Sequence, residues 1–482
     1  MCFDVCSKYC GAADAELIRF RYQTVHSRLW IDSIRRFKLA ASPINRPAAT
    51  GQEAMQREPG KTPACNQSLA PITPPNTAAE HPHIRQGTPE FRRAVLALFM
   101  AGFATFGVLY CVQPLLPGFS SHFGISAGGS ALALSVSTGV LAVSMLVAGT
   151  VSDRIGRRPV MVASLLASAL LTLGTALTDD WNTLLLLRTL LGLSLSGVPA
   201  VAMTWLVEEM DSRALGLAMG LYIGGNAVGG MSGRLIAGVV ADHWGWRAGI
   251  AAVGVIALLA SVALWTQLPA SRHFRAKRAE PAQLPARFAG LFRDAALPWL
   301  FACGFLLLGV FVTLYNYLGY HLLAPPYGLS QTVVGLIFTV YLVGSVSSAW
   351  MGQLANRLGR GPVLALSFGL VLAGIVLLAM PWLPAMAMGI ALATFGFFGG
   401  HSVASSWVGV RAGALRAEAS ALYLFSYYLG SSVVGALGGV FYTHWGWAGV
   451  CGFCLVLTLA GVGAAWRLWR RLEDATGLLL VR

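Results

Sequence analysis

Two arginines, Arg188 and Arg234, lie inside long apolar segments of this 482-residue chain. A charged side chain at the centre of a membrane helix costs at least about 2.5–3.5 kcal/mol on insertion scales, so such a residue usually faces a bundle interior or a water-filled cavity and has a partner. Every Asp and Glu between residues 91 and 470 falls at the end of an apolar segment or in a connection. We therefore predict that the two arginines either bind an anionic group or tie their helices to backbone carbonyls.

His401 is a titratable side chain inside another apolar segment, where Ser402, Ser405 and Ser406 follow it. Histidine titrates near neutral pH, so this residue could carry a proton within the membrane. A histidine in such a place is also often a structural hydrogen-bond donor. The sequence leaves both interpretations open.

The elements that must position these residues are membrane helices. Hydrophobic residues make up 56% of the chain and charged residues 11%, whereas a soluble domain carries roughly 25% charged residues. A helix needs about 20 mostly apolar residues to cross a bilayer core about 30 Å thick. Twelve such spans are predicted near residues 93–116, 128–150, 159–178, 182–206, 214–240, 247–267, 297–321, 331–354, 362–380, 384–409, 418–441 and 448–468. The fold class is thus an all-α membrane protein embedded in a lipid bilayer.

Basic residues accumulate on every second connection between the spans. The opposite side of the predicted membrane carries one arginine, Arg247, together with Asp179, Asp180 and Asp242. Because Lys and Arg are retained in the cytoplasm during insertion, we predict that both termini and the long central connection are cytoplasmic. The net charge of +14 is then a topology signal. No recognisable nucleic-acid-binding fold accompanies it, so we expect no nucleic-acid partner.

An internal repeat divides the chain into two halves. Residues 221–246 aligned with 422–447 give nine identities in 26 positions, including a shared His-Trp-Gly-Trp. We predict a six-helix bundle at 91–267, a cytoplasmic linker at 268–295, a second six-helix bundle at 296–470 and a cytoplasmic tail at 471–482. The two bundles should be pseudo-symmetric.

The first ninety residues differ in kind from the rest. Residues 1–90 are mixed in charge, with Pro, Ser and Asn scattered from Ser42 to Pro75, and lack an apolar core, which predicts a disordered or untranslated extension. Residues 16–40, which mix Arg with Leu, Ile, Phe and Trp, could instead form a weak surface helix. Cys2, Cys6 and Cys10 recur every four residues, but no His or fourth Cys continues this spacing, so we expect no metal there. No phosphate-binding loop occurs either, so we expect no cofactor and an ion gradient as the energy source.

A basic turn occurs once in each half of the chain. Its residues are Gly149, Asp153, Arg154, Gly156, Arg157 and Arg158 between spans two and three, and Asn356, Arg357, Gly359 and Arg360 between spans eight and nine. The first copy resembles the most diagnostic motif of the major facilitator superfamily, Gly-x-x-x-Asp-Arg-x-Gly-Arg-Arg/Lys. Segments such as Tyr110–Pro117 resemble, more narrowly, bacterial inner-membrane exporters described as drug/proton-antiporter-like or arabinose-efflux-like.

The resemblance implies a gating role for the first turn. In that family the counterpart of Asp153 holds the cytoplasmic side closed by pairing with a basic group and a helix N-terminus. The second copy carries Asn356 at the acidic position, so we expect asymmetric gating. The simpler alternative is that the arginines only enforce topology.

Span five carries two glycine rows at four-residue spacing. Gly225, Gly229 and Gly233 form one row, and Gly230, Arg234 and Gly238 form the other. Small residues in such rows let a neighbouring helix approach closely. Span five resembles the antiporter motif of drug exporters in part: that motif carries Gly-Pro where this chain has Gly229 and Gly230.

The resemblance also suggests which helices border a central path, namely spans one, four, seven and ten, with five, eight and eleven nearby. The predicted substrate or coupling residues on these spans are Tyr110, Gln113, Arg188, Gly192, Arg234, Asn316, Tyr317, His401, Tyr423 and Tyr427. Arg188 and Gly192 together resemble a second motif of proton-coupled members.

The function that follows is secondary transport by alternating access, and not enzyme catalysis. We predict a monomeric efflux protein, coupled to protons, for a drug-like, sugar-like or organic-anion compound. The alternative is a proton-coupled importer of a small organic anion or other metabolite, and a remote alternative is a membrane sensor that transports nothing. The spans hold no metal or nucleophile cluster of the kind that a membrane-embedded enzyme needs.

Overall fold

The computed structural model describes residues 82–274, 276 and 284–480, and the side chains of 284–286 and 471–480 are outside that description. The cysteines predicted to bind no metal, and almost all of the predicted extension, lie outside the described residues. Within the described ranges, ten helices are long and apolar enough to cross a membrane.

Eight of these helices are single spans, and two are double. The single spans are Pro89–Phe123, Ala127–Ile155, Arg157–Leu177, Trp181–Glu209, Leu297–Leu323, Gln331–Leu358, Arg360–Leu378 and Leu383–Arg411. These are spans one to four and seven to ten. The double helices, Ser212–Gln267 and Arg416–Leu480, contain spans five with six and eleven with twelve. Twelve spans result, which confirms the predicted fold class.

Each double helix reverses direction at a single glycine. Gly245 has φ 81° and Gly446 has φ 57°, in the left-handed region that glycine adopts without steric cost. A Cβ added at Gly249 would lie 2.6 Å from the Ala237 carbonyl oxygen, so the chain has folded back on itself. The His-Trp-Gly-Trp repeat is therefore a helix-to-helix turn, as its sequence indicates.

Span one is interrupted near its far end. Its first helix, Pro89–Tyr110, ends three residues before a short 3₁₀ turn at Gln113–Leu115, and the helix resumes at Leu116–Phe123. Pro114 contributes to the break because it has no N–H to donate and cannot continue the helix. The break leaves the last carbonyls of the first helix without helical donors.

The start of span one is better anchored than the sequence predicts. Ile84 is buried, its N–H donates to the Glu209 carbonyl at 2.8 Å, and its own carbonyl accepts from Asp211 N–H at 3.0 Å. Thr88 then caps the helix by accepting from Phe91 N–H. Residues 82–90 thus belong to the folded part, and the predicted boundary at residue 90 lies too late in the chain.

Side chains at both described ends of the linker form ion pairs with the helical bundles. At its start, Arg272 pairs with Glu90 at 2.8 Å, and His273 contacts the buried carboxylate of Glu209. At its end, the short helix Leu284–Leu291 precedes span seven, and Arg287 pairs with Glu418. Each end therefore binds to the half of the chain that it adjoins.

The two halves meet at one end of the spans. We call this the closed end; it holds the turns at Gly124, Gly245, Gly328 and Gly446, and the basic end, opposite, holds those at Gly156 and Gly359. The hydrogen bonds between described residues of the two halves all lie in the closed-end half of the spans, such as Ser120 with Tyr320 and Ser432 with the Ser135 carbonyl. If the basic end is cytoplasmic, as predicted, this conformation faces inward.

Candidate functional site

Arg188 is held by backbone carbonyls alone. Its Nη1 and Nη2 donate to the carbonyls of Val108 and Leu109 at 3.0 and 2.7 Å, and its Nε donates to Ala133 at 2.8 Å. Val108 and Leu109 lie in the last turn of the first helix of span one, where carbonyls lack helical partners and the helix dipole favours a cation. Each of the three guanidinium nitrogens thus has a hydrogen-bond partner, which agrees with the structural alternative for this residue.

Gly192 lies one turn from Arg188, at a close approach of two spans. A Cβ there would overlap the Ser137 carbonyl of span two, and the Ser137 hydroxyl donates to the Arg188 carbonyl at 2.8 Å. Arg188 and Gly192 thus join spans one, two and four. Their predicted role in coupling stays a prediction.

The two glycine rows of span five face different neighbours. Gly225, Gly229 and Gly233 lie against the backbone of span one, where any Cβ would overlap Phe99, Phe103 or Gly107. On the other row, a Cβ at Gly238 would contact Gly335 of span eight at 3.3 Å, and Gly230 lies beside the Arg234 side chain. The first row packs span five onto its own half, whereas the second row faces the other half.

The second half repeats the first of these contacts. A Cβ at Gly430 of span eleven would overlap the Phe305 carbonyl of span seven, as one at Gly229 would overlap the Phe103 carbonyl. Spans one with five and seven with eleven are thus matched close pairs, which gives the predicted pseudo-symmetry a structural basis.

Arg234 lies among three aromatic rings at the boundary of the halves. Its guanidinium carbon is 4.1 Å from the Tyr110 ring centroid, 4.8 Å from Tyr341 and 5.2 Å from Phe338. Its Nη1 donates to the Gly230 carbonyl at 2.6 Å, and only 2% of the residue is exposed. No described carboxylate pairs with it. A cation over ring faces gains about 2 kcal/mol or more when desolvated, so the rings help to stabilise the buried charge.

A short hydrogen-bond chain connects Arg234 to the second half. Arg234 Nε donates to Gln113 Oε1 at 2.6 Å, and Gln113 Nε2 donates to Asn316 Oδ1 at 2.8 Å. Because a guanidinium only donates, it fixes the orientation of the Gln113 amide, which in turn fixes that of Asn316. Three predicted site residues therefore form one buried network across the two halves.

A second group forms around His401. Its Nδ1 lies 3.0 Å from the Tyr423 hydroxyl, and its ring lies 4.4 Å from that of Tyr427. The Phe397 ring stacks on that of Tyr427, and Phe398 contacts both Phe397 and Tyr341, which connects this group to the rings around Arg234. His401 and Tyr427 are only half-buried, so the accessible side of the combined site lies here.

Tyr317 lies apart from both groups. Its hydroxyl donates to the Gly435 carbonyl at 2.8 Å, and its ring stacks on Tyr442. The contact joins spans seven and eleven within the second half. Nearby, Tyr320 bonds to Ser130 and to the Leu116 carbonyl of the first half. The structure thus places Tyr317 in the packing of the closed end.

The first basic turn forms an ion cluster within its own half. Arg157, 4% exposed, contacts Asp153 at 2.6 Å and Glu208 of span four at 2.9 Å. Arg158 donates to the Trp265 carbonyl. None of these contacts reaches the second half, as expected where the basic end is open. The predicted gating role stays a prediction.

The second basic turn has the same backbone with fewer contacts. Gly359 has φ 89° and Gly156 has φ 109°, so each turn needs a glycine before the next span. Asn356 and Arg357 are exposed. Arg154 and Arg360, which the motif also contains, form no ion pair among the described residues, and a Cβ at Gly149 would meet open space.

A groove of about 400 Å³ opens at the closed end, away from the polar network. His122, Asp242, Trp246 and Gln331 are among the residues that line it. Gln331 also donates to the Pro114 carbonyl, another contact between the halves. Among the described residues, no group of three or more His, Cys, Asp or Glu could hold a metal ion.

Sequence reasoning missed three contributors to these sites. Phe338 and Tyr341 of span eight complete the rings around Arg234, and Glu208 completes the cluster at Arg157. Glu208 could have been found, because it is an acid at the basic end of span four. The two aromatic residues carried no signal that distinguished them from packing residues.

Comparison with known proteins adds a family. A sequence model of the Major Facilitator Superfamily matches residues 98–324 and 318–478. The chain is 48% identical over 411 residues to the inner membrane transport protein YnfM of Escherichia coli (strain K12), covering 85% of this chain and 97% of that one. It is 46% identical over 380 residues to the MFS-type transporter YybF of Bacillus subtilis (strain 168), covering 79% and 94%.

Solved structures share the fold. A bacterial homologue of the human lysosomal transporter Spinster, in an inward-facing and occupied conformation, superposes with a TM-score of 0.62. The match covers 79% of this chain and 95% of that one at 15% identity. At this identity the likeness shows the fold alone.

Proposed function

The chain belongs to the Major Facilitator Superfamily, and we propose that it exports a small amphiphilic organic anion across the bacterial inner membrane in exchange for protons. Family membership supports the coarser statement, secondary transport of a small molecule by a multi-pass membrane protein. The observation that carries the finer proposal is Arg234, a buried cation at the boundary of the halves that no described carboxylate neutralises.

The surroundings of Arg234 favour an anion with an apolar or aromatic body. A carboxylate or sulfonate would form charge-assisted hydrogen bonds to the guanidinium, which are roughly twice as strong as neutral ones. The rings of Tyr110, Phe338 and Tyr341 would contact the apolar body. A lipophilic cation would meet an uncompensated like charge, which selects against it.

Two features support export with proton coupling. The half-buried residues of the site, His401 and Tyr427, lie towards the basic end of their spans, which the charge pattern predicts to be cytoplasmic, and the relative YnfM is named an inner membrane transport protein. His401 is the titratable group of the accessible side, beside Tyr423 and Tyr427. For exchange, the proton must bind His401 after the anion has left, so that the protonated empty site, and not the loaded one, carries the proton back.

Binding can be tested with three probes that each contain one phenyl ring: a permanent anion, a neutral compound and a permanent cation. They are benzenesulfonate, phenyl glucoside and benzyltrimethylammonium, each measured by thermal shift on the purified protein. We expect stabilisation by benzenesulfonate, and its loss in Arg234→Gln. Binding of the ammonium compound with no effect of benzenesulfonate would contradict the anion class.

Direction and coupling require proteoliposomes. Benzenesulfonate does not cross a bilayer as a neutral acid, so its flux under an imposed pH gradient reports the protein. Antiport predicts movement of the anion towards the more acidic side, whereas the importer alternative predicts movement together with protons, away from it. His401→Asn should abolish the response to the gradient while exchange of labelled for unlabelled benzenesulfonate continues.

A further inference from the structure

Arg234 has two functions that exclude each other. Arg234 is the proposed anion-binding group, and the same guanidinium holds the residue that joins the two halves. We propose that Gln113 couples the two: an anion bound to Arg234 displaces Gln113 and thereby releases the closed end. This inference rests on the proposed function only in the charge of the ligand.

The first step concerns the donors of the guanidinium. An anion that binds arginine through two parallel hydrogen bonds needs two adjacent N–H groups. Gln113 Oε1 occupies Nε at 2.6 Å, and the Gly230 carbonyl occupies Nη1 at 2.6 Å. Each of the two pairs of adjacent N–H groups of Arg234 thus has one member that already donates to a protein oxygen. Gly230 belongs to the same helix as Arg234, four residues earlier, so Gln113 is the partner that can leave.

The second step concerns what Gln113 holds. Its Nε2 donates to Asn316 Oδ1 at 2.8 Å and lies 3.4 Å from the Val312 carbonyl, both on span seven of the other half. Asn316 is 1% exposed, and its Nδ2 has no hydrogen-bond partner among the described residues. Gln113 is therefore the only described hydrogen-bond partner of the Asn316 side chain, and its departure breaks this link completely.

The third step compares the competing partners. An amide oxygen and an anionic oxygen contend for one charged donor, and the anionic oxygen forms the stronger bond. The ligand thus binds better to the state in which Gln113 has left, and such differential affinity is what shifts a conformational equilibrium. A neutral ligand that sits among the rings without replacing Gln113 would not open the closed end.

The chain offers a matched control. Gln331 is also a glutamine at the closed end, and it also donates across the halves, to the Pro114 carbonyl. It does not contact Arg234. Gln113→Leu removes the hydrogen bonds to Asn316 and Val312, and Gln331→Leu removes the one to the Pro114 carbonyl, but only the first removes the proposed coupling.

Hydrogen–deuterium exchange of the full-length protein measures the opening. Segments 128–139 and 430–440 pack on each other across the halves, through Gly128 with Gly439 and Gly139 with Ser432. Saturating benzenesulfonate should raise exchange in these segments on the order of tenfold, which corresponds to about 1.4 kcal/mol. The rise should persist in Gln331→Leu and disappear in Gln113→Leu, whose exchange should be high already without ligand.

A second variant protects the test against misfolding. Gln113→Glu keeps the size of the side chain and places a carboxylate on Arg234, and Asn316 can donate to this carboxylate once its amide has rotated to present Nδ2 in place of Oδ1. We expect the two halves of this variant to stay together at the closed end, so that segments 128–139 and 430–440 exchange more slowly than in the native protein. Binding of benzenesulfonate should be at least tenfold weaker. If hydrogen–deuterium exchange showed instead that the two halves separate at the closed end in this variant, the proposal would be contradicted.

The outcomes separate this inference from the proposed function. If benzenesulfonate does not bind the native protein by thermal shift, the anion class is wrong, and the coupling inference fails with it. If it binds but exchange does not rise, or rises equally in Gln113→Leu, the proposed function stands and the coupling role of Gln113 is refuted.

Discussion

Replacing Arg188 by glutamine should damage the fold and spare the choice of ligand. The guanidinium makes three hydrogen bonds to carbonyls, and two of these carbonyls, Val108 and Leu109, lie in the last turn of a helix. Glutamine is too short to reach both. Leu109 would then lose its side-chain partner, and Val108 would keep only the weak thiol donor of Cys111, at 3.3 Å. At about 1–3 kcal/mol for each buried acceptor, the variant should lose roughly 2–6 kcal/mol.

Thermal unfolding of the purified protein provides the assay. For a unit of about 150–250 residues, 1 kcal/mol corresponds to roughly 2–4 °C, so the midpoint should fall on the order of 10 °C. Unfolding of a large membrane protein is often irreversible, so native protein and variants must be compared at one scan rate. The preference for benzenesulfonate over benzyltrimethylammonium should remain.

Arg234→Gln is the matched comparison. Its Gly230 partner is a carbonyl within the same continuous helix, so this variant leaves fewer unpaired acceptors, and its midpoint should fall less. Its anion preference should disappear. If Arg188→Gln melted within about 2 °C of the native protein and lost the anion preference instead, Arg188 would be the binding group, and our structural account of it would be wrong.

Three further predictions follow from contacts described above. Asp153→Asn should slow transport in proteoliposomes while benzenesulfonate affinity stays within a few fold, because Asp153 lies at the basic end; Asn356→Asp should do much less, and lost binding in Asp153→Asn would contradict a gating role. Gly229→Ala should reduce folded yield on size-exclusion chromatography sharply, because its Cβ would overlap the Phe103 carbonyl, whereas Gly224→Ala, whose Cβ would meet open space, should not; equal yields would refute the close packing. Deleting residues 2–81 should leave insertion and transport intact. A longer deletion that also removes Ile84 should lower the melting midpoint, because the Ile84 backbone pairs with Glu209 and Asp211. Loss of insertion in the shorter deletion would contradict this prediction.

Hydropathy and turn chemistry predicted the helices well. All twelve spans lie close to their predicted positions, because the requirement for about 20 apolar residues is local in the sequence. The turns at Gly245 and Gly446 lie in the gaps between predicted spans five and six and predicted spans eleven and twelve. The boundary near residue 90 was missed, because Ile84 is held by a backbone pairing with Met210 that no local pattern reveals.

The partners of the buried charges could not be predicted in the same way. Arg188 and Arg234 looked equivalent, since both are arginines inside long apolar segments without an acid. Their difference depends on the break in span one, which frees carbonyls for Arg188 and turns Gln113 towards Arg234. It depends also on Tyr341, which comes from the other half of the chain. Such contacts are set by tertiary packing.

The single-glycine reversals have a consequence for biogenesis. Gly245 and Gly446 join their spans without a loop, and Gly249 and Gly449 pack directly on the preceding helix. A polar loop long enough to be translocated by itself is absent from both turns. We therefore expect spans five and six, and likewise eleven and twelve, to leave the translocon as preformed helical hairpins, with Arg247 carried across the membrane by its partner helix.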